Sequence, residues 1–231
     1  MHLPISPRLL ACCGFVKPGE RVADIGCDHG YLGIHLLLNG IAGSVIASDV
    51  NELPLQSARE NAVKFGVCDK MTFFLSDGAL SIPHDFDVMV CAGMGADTMI
   101  SILSDAPWLK TPQYRLILQC QSKTAVLRHY LCQEGWHIVK ESVLRDGRFL
   151  YTVMEVVYSP GHVLSPGQCY LSPALLEAPS AALAAYFRRI YDGLLLSVNG
   201  QGDAADPFKK AALKELETMA ETPEFRQFWE E

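Results

Sequence analysis

The chain contains no run of 18 apolar residues, so no spanning helix is expected. It has no C-x-x-C pair and no Cys/His grouping at zinc-ligand spacing, so no metal is expected either. Positive charge is not in excess: the formal net charge is −7 at pH 7. Diffuse attraction to nucleic acid or an anionic membrane is therefore not the default, and a polyanion has to find a local basic patch. Internal repeats and low-complexity tracts are missing too. With 49% hydrophobic residues among 231, wholesale disorder is excluded.

Eight cysteines are present, several inside apolar runs such as Val90-Cys91-Ala92. A chain of this length and apolar content needs no disulfide staples, and they read as small buried thiols in a reducing cytosol. Leu9–Val16 is apolar, but only Arg8 precedes it, no small-x-small site follows, and it runs straight into a turn and a strand. It reads as an N-terminal helix of the fold rather than a leader.

Residues 20–157 alternate two patterns. Arg21–Ile25, Ser44–Asp49, Met71–Leu75, Phe86–Ala92 and Arg115–Gln119 are short and rich in Val, Ile, Leu or Phe, as buried parallel strands are. Between them, Tyr31–Leu38, Leu53–Phe65, Asp97–Leu103 and Thr124–Glu134 carry helical patterns; Leu55, Ala58, Ala62 and Phe65 share one face, and Asn51 is placed to cap their helix. The run ends differently, with Trp136–Leu144 and Phe149–Tyr158 flanking Arg145-Asp146-Gly147-Arg148, a β-hairpin. The expectation is an α/β fold: a doubly wound, mostly parallel seven-stranded sheet ending in an antiparallel hairpin. Ser159-Pro160-Gly161 and Ser165-Pro166-Gly167 then break the pattern. Leu183, Phe187, Ile190 and Leu194 give a helix ended by Asn199-Gly200-Gln201-Gly202, and Asp206-Pro207 opens another, so a C-terminal helical hairpin follows. Two domains are expected, 1–158 and a helical 159–231.

Chemistry concentrates after the carboxyl ends of four strands, where open α/β sheets bind ligands. Asp24-Ile25-Gly26-Cys27-Asp28-His29-Gly30-Tyr31 is a strand end, a Gly-bearing turn and a helix start. Glycines at 26, 30 and 33 miss the dinucleotide spacing. Asp24 and Asp28 would repel a pyrophosphate and favour a ligand carrying an amino group and a sulfonium. Asp49, 25 residues after Asp24, can accept both hydroxyls of a ribose, which by itself fits a nicotinamide nucleotide or S-adenosylmethionine (SAM). Asp77-Gly78 ends the third strand, where a carboxylate can accept from an adenine amino group. Ala92-Gly93-Met94-Gly95 ends the fourth, a close-approach loop with a soft apolar wall.

Together, Ala-Asp-Ile-Gly-Cys-Asp-His-Gly-Tyr-Leu and Ala-Gly-Met-Gly resemble the class I SAM-dependent methyltransferases. More narrowly, they resemble the bacterial tRNA adenine-N1 methyltransferases of the TrmK type. The likeness begins at Ser6-Pro7-Arg8-Leu9, includes Leu116-Ile117-Leu118-Gln119 and Leu127-Arg128, and continues through Leu171-Ser172-Pro173 into the tail. Cys27, Gly30, Asp49, Ala96 and Cys120 depart from the family's usual Ser, Ala, Glu, Gly and Pro. The resemblance implies SAM as cofactor and an adenine in the D-loop region of tRNA as substrate. It implies a cofactor set of Asp24, Gly26, Cys27, Gly30, Asp49, Val50, Asp77, Gly78, Ala92, Gly93 and Met94. Asp28 and His29 would be catalytic, and Arg8, Tyr31 and Gly95 would meet the substrate. A cytoplasmic protein, monomeric by preference, is expected. Three other readings stay open: a nicotinamide-dependent oxidoreductase, a non-catalytic SAM- or RNA-binding adaptor, and a methyltransferase of another substrate. Arg188-Arg189 and Lys209-Lys210 could form a basic edge on the tail.

Overall fold

A computed structural model describes residues 2–177 and 179–222. Along the chain come α1 (Pro7–Cys13), β1 (Arg21–Ile25), α2 (Tyr31–Leu38), β2 (Ser44–Asp49), α3 (Glu52–Lys64), β3 (Met71–Leu75), β4 (Val88–Met94), α4 (Ala96–Asp105), β5 (Arg115–Cys120), α5 (Thr124–Gln133), β6 (Trp136–Asp146) and β7 (Phe149–Tyr158). They are followed by α6 (Pro166–Tyr170), α7 (Pro173–Leu176), α8 (Ala181–Gln201) and α9 (Pro207–Ala220). The seven strands form one sheet in the order β3-β2-β1-β4-β5-β7-β6. The first five pair in parallel, and β7 runs antiparallel to both β5 and β6.

Alternation along each strand divides the core into two layers. Val22, Val45, Ala47, Val90 and Ile117 pack with α1, α2 and α3 on one face. Ala23, Ile25, Ile46, Met89, Leu116 and Leu118 pack with α4 and α5 on the other. Both faces are covered, which is why these strands read as unbroken apolar runs. The strand order reverses between β1 and β4, and at that point a crevice opens at the carboxyl ends of the strands.

The hairpin also has two faces. Leu144 pairs with Tyr151 and Asp146 with Phe149, so these four share one side; Arg145 pairs with Leu150 and Val143 with Thr152 on the other. Leu150 and Val143 join a third core with Leu171, Leu175, Leu183, Phe187, Leu194 and Leu216 of the helical segment. A buried ion pair ties this segment to the sheet. Arg128 of α5 donates to Glu141 of β6 from Nη2 at 2.7 Å, and to the carbonyls of Cys169 and Tyr170. Ser172 Oγ donates to the second Glu141 oxygen. Both charged side chains are 0% exposed.

The tail departs from the sequence reading in three respects. Ser165-Pro166-Gly167 starts a short helix instead of only breaking the pattern, because Ser165 and Gln168 form a capping box. α9 packs against that turn: Glu215 accepts from the Gly167 N–H at 2.9 Å and from the Ser165 hydroxyl, and any side chain at position 167 would collide with it. α8 continues through Asn199 and Gly200 to Gln201, and the stop comes at Gly202, whose φ is 54°. At Asn51 the cap is positional only, with no side-chain hydrogen bond. Residues 223–231 of the expected helical domain lie outside the described residues. Among the described residues, no helix is long and apolar enough to cross a membrane.

Candidate active site

A cleft of about 510 Å³ opens at the β1–β4 crevice. Its floor is set by backbone that only certain residues tolerate. Gly26 has φ 70°, and a side chain there would run into the tip of Met94. Asp28 has φ 49°, one of two non-glycine residues with positive φ among those described. The Asp28 N–H donates to Asp49 Oδ2 at 3.2 Å, and the Asn51 N–H donates to Asp49 Oδ1 at 2.9 Å. One carboxylate thus fixes the loops after β1 and β2, and each oxygen keeps a lone pair for a ligand.

Asp24 is the electrostatic anomaly. It is 4% exposed, and its Oδ2 is buried with no partner. Burial pushes the carboxyl up to about 7; the backbone N–H of Gly33 opposes the shift, and the charge on Asp49 adds to it. A buried acid with an unpartnered oxygen costs stability until a donor or a cation reaches it. Burial holds the neighbouring thiols in their protonated form, pushing Cys13 and Cys91 up to about 12 and raising Cys27 as well.

The rim is more open. His29 Nε2 lies 3.6 Å from Asp28 Oδ1, and the two side chains are 49% and 70% exposed. The His29 ring stacks on Tyr31 at 5.5 Å. Asn61 Nδ2 holds the His29 carbonyl at 3.1 Å. Asp77 and Gly78 line the third-strand side, and Ala92, Gly93 and Met94 the fourth. The Gly93 N–H donates to the side chain of Gln119 at 2.9 Å.

Residues 5–154 match the family described as a methyltransferase domain. The chain belongs to that family. Among relatives, it is 30% identical over 154 residues to the tRNA (adenine(22)-N(1))-methyltransferase of Bacillus subtilis. That stretch covers 66% of this chain and 65% of the relative, so the match spans just under two thirds of the relative's length. Among solved structures, the chain resembles a putative tRNA (m1A22) methyltransferase of Streptococcus pneumoniae in complex with S-adenosyl-L-methionine. The TM-score is 0.81 at 29% identity, with 92% of this chain and 99% of that one covered. The B. subtilis m1A22 tRNA methyltransferase TrmK gives 0.79 at 26%, with 98% and 99% covered.

In this methyltransferase domain most of the sequence-derived residues meet in one place. Arg8, Asp24, Gly26, Cys27, Asp28, His29, Tyr31, Asp49, Val50, Asp77, Gly78, Ala92, Gly93 and Met94 all line the cleft. Gly30 and Gly95 do not. Gly30 caps α2 at φ 72° and turns toward Ala58, while Gly95 caps α4 and backs onto Ser122. Arg8 arrives already engaged: its Nε donates to Asp146 at 2.8 Å, and its guanidinium lies over the Tyr151 ring. Sequence reasoning missed Ser76, Asn51, Gln119, Gln121 and one side of α4 (Thr98, Ser101, Asp105) as cleft residues. Gln119 had a signal, a lone amide directly after the apolar run Leu116-Ile117-Leu118, and the structure buries it fully. The α4 residues had none, since polar positions on a helix read as solvated. Among the described residues, no group of three or more His, Cys, Asp or Glu is placed to hold a metal.

Proposed function

We propose that the chain transfers a methyl group from SAM to N1 of an adenine in the D-loop region of tRNA, acting in the cytoplasm. The observation that carries this reading is the buried, unpartnered oxygen of Asp24 beside the fixed carboxylate of Asp49. An amino-acid ammonium satisfies the first, and paired ribose hydroxyls satisfy the second. Asp77 is within the same cleft to accept from an adenine amino group, and the bare backbone of Gly26 lets the tip of Met94 pack over the first loop as an apolar wall. The likeness to a solved SAM complex supports the cofactor. The names of the relatives support adenine 22 as the target.

Bound there, SAM supplies an electrophilic methyl on a sulfonium with a good leaving group. Adenine N1 carries a lone pair in the ring plane, so no proton has to leave before attack. The chain's work is placement. The base leaves its stack to enter the rim between Tyr31 and the Gly93-Met94 wall. Methylation leaves a positive charge on the ring, and Asp28, on the rim of the cleft, is the carboxylate that would stabilise it. His29 orients the base.

The test is methylation of unmodified tRNA in vitro with mapping of the product base; transfer to another position or to no RNA would refute the assignment. At saturating SAM and tRNA, Asp28→Ala should lower turnover about 100-fold, with SAM affinity little changed. Full turnover in that variant would remove Asp28 from the mechanism.

A further inference from the structure

The cleft is acidic, with Asp24, Asp28, Asp49 and Asp77 on its walls. A polyanionic substrate therefore cannot lay its backbone there, and its phosphates must run over another surface that reaches the target base. The tail does not offer one that reaches the cleft: neither Arg189, which lies over the Tyr186 ring, nor Lys209, whose Nζ donates to Ser197 Oγ at 3.1 Å, lines it.

The hairpin does. On the side away from the tail core, cations and rings alternate, with one acid among them, Asp146, which accepts from Arg8 Nε at 2.8 Å. The Arg148 guanidinium lies 4.9 Å from the centroid of Phe149, Phe149 is 6.1 Å from Tyr151, and the Arg8 guanidinium is 5.5 Å from the Tyr151 centroid. Phe149 is 47% exposed at the turn, and Arg148 is exposed beside it. Arg8 ends the series and also lines the cleft, so the row is continuous with the place where chemistry is proposed.

We propose that this face of the β6–β7 hairpin is the docking surface for the single-stranded RNA flanking the target nucleotide. Bases stack on Phe149 and Tyr151, and Arg148 and Arg8 meet the phosphates. Stacking on a ring tolerates any base, so the surface holds the loop while the cleft chooses the nucleotide. The inference rests on the tRNA reading above.

The test uses the full chain and an unmodified tRNA transcript, with binding followed by fluorescence anisotropy over a range of KCl concentrations. The double variant Phe149→Ala/Arg148→Glu should weaken tRNA binding at least tenfold and flatten the log–log salt dependence by about 0.7. SAM affinity by calorimetry should stay within twofold. Arg148→Glu alone keeps both rings and gives up only the guanidinium's contact with Phe149, and it should still weaken binding severalfold. Lys209→Glu on the tail should change it less than Arg148→Glu does. A wild-type chain that binds tRNA and a folded double variant that binds it equally well overturn the docking surface alone. A wild-type chain that does not bind tRNA overturns both this proposal and the function it rests on.

Discussion

Two carboxylates lie equally deep in this molecule and live in opposite circumstances. Glu141 accepts from Arg128 and Ser172 and is completely enclosed. Asp24, buried in the wall of the cleft, has one oxygen that nothing satisfies. Burial opposes the charge on Arg128, yet Glu141 and Tyr186 hold its pKa above the ordinary value. At Asp24 burial meets no compensating cation, and the acid is driven toward its neutral form. Depth alone therefore says nothing about role. Satisfaction does: the paired acid holds the helical segment to the sheet, and the unpaired one is left open for the ligand proposed above.

Removing one member of each pair should sharpen the contrast. The largest effect is expected from Arg128→Ala, which strands Glu141 in an apolar interior and should cost about 3–5 kcal/mol in urea unfolding. The double change Arg128→Met/Glu141→Leu should recover part of that loss, because no charge is left buried, while the carbonyls of Cys169 and Tyr170 and the Ser172 hydroxyl still lose their partners. A single variant that unfolds at the wild-type denaturant concentration would break the comparison.

Asp24→Asn should do the reverse. The folded carboxyl titrates near 7 and the unfolded one near 3.8, so the folded state keeps a proton that the unfolded state has lost. Wild-type stability then falls as pH rises through that window. The amide avoids this penalty. The variant should melt at least about 3 °C above wild type at pH 8 and with it near pH 4. It should also lose about 100-fold in SAM affinity. In the wild type, SAM binding should weaken as pH falls below about 7, and a flat profile would count against Asp24 as the ammonium partner. The smallest change should come from Asp49→Asn, about tenfold in SAM affinity, since one good acceptor remains.

Much of this was legible in advance, and the limits have physical reasons. Arg21–Ile25, Ser44–Asp49 and Met71–Leu75 were readable to the residue because each is a short, mostly apolar run bounded by polar or glycine-bearing loops. β4 starts and ends two residues later than its pattern suggests, because Phe86 packs into the core before any ladder begins, and a register shift carries pairing on to Met94. The acids of the cleft were readable because strand ends in such sheets converge. Asn51 and the α4 side were not, since a polar residue facing a cleft and one facing water look alike. Nor was the Arg128–Glu141 pair, whose members are 13 residues apart and meet only when α5 lies against β6.

That pair has an architectural consequence. Its cation belongs to a helix on the sheet and its acid to an edge strand, while two of its oxygen acceptors come from the first turns after the hairpin. Severing the chain after Tyr158 would not free two independent modules. It would open a charged wound in the flank of the sheet, so a shuffled or transplanted helical segment has to bring matching carbonyls in the right place or fail to seat.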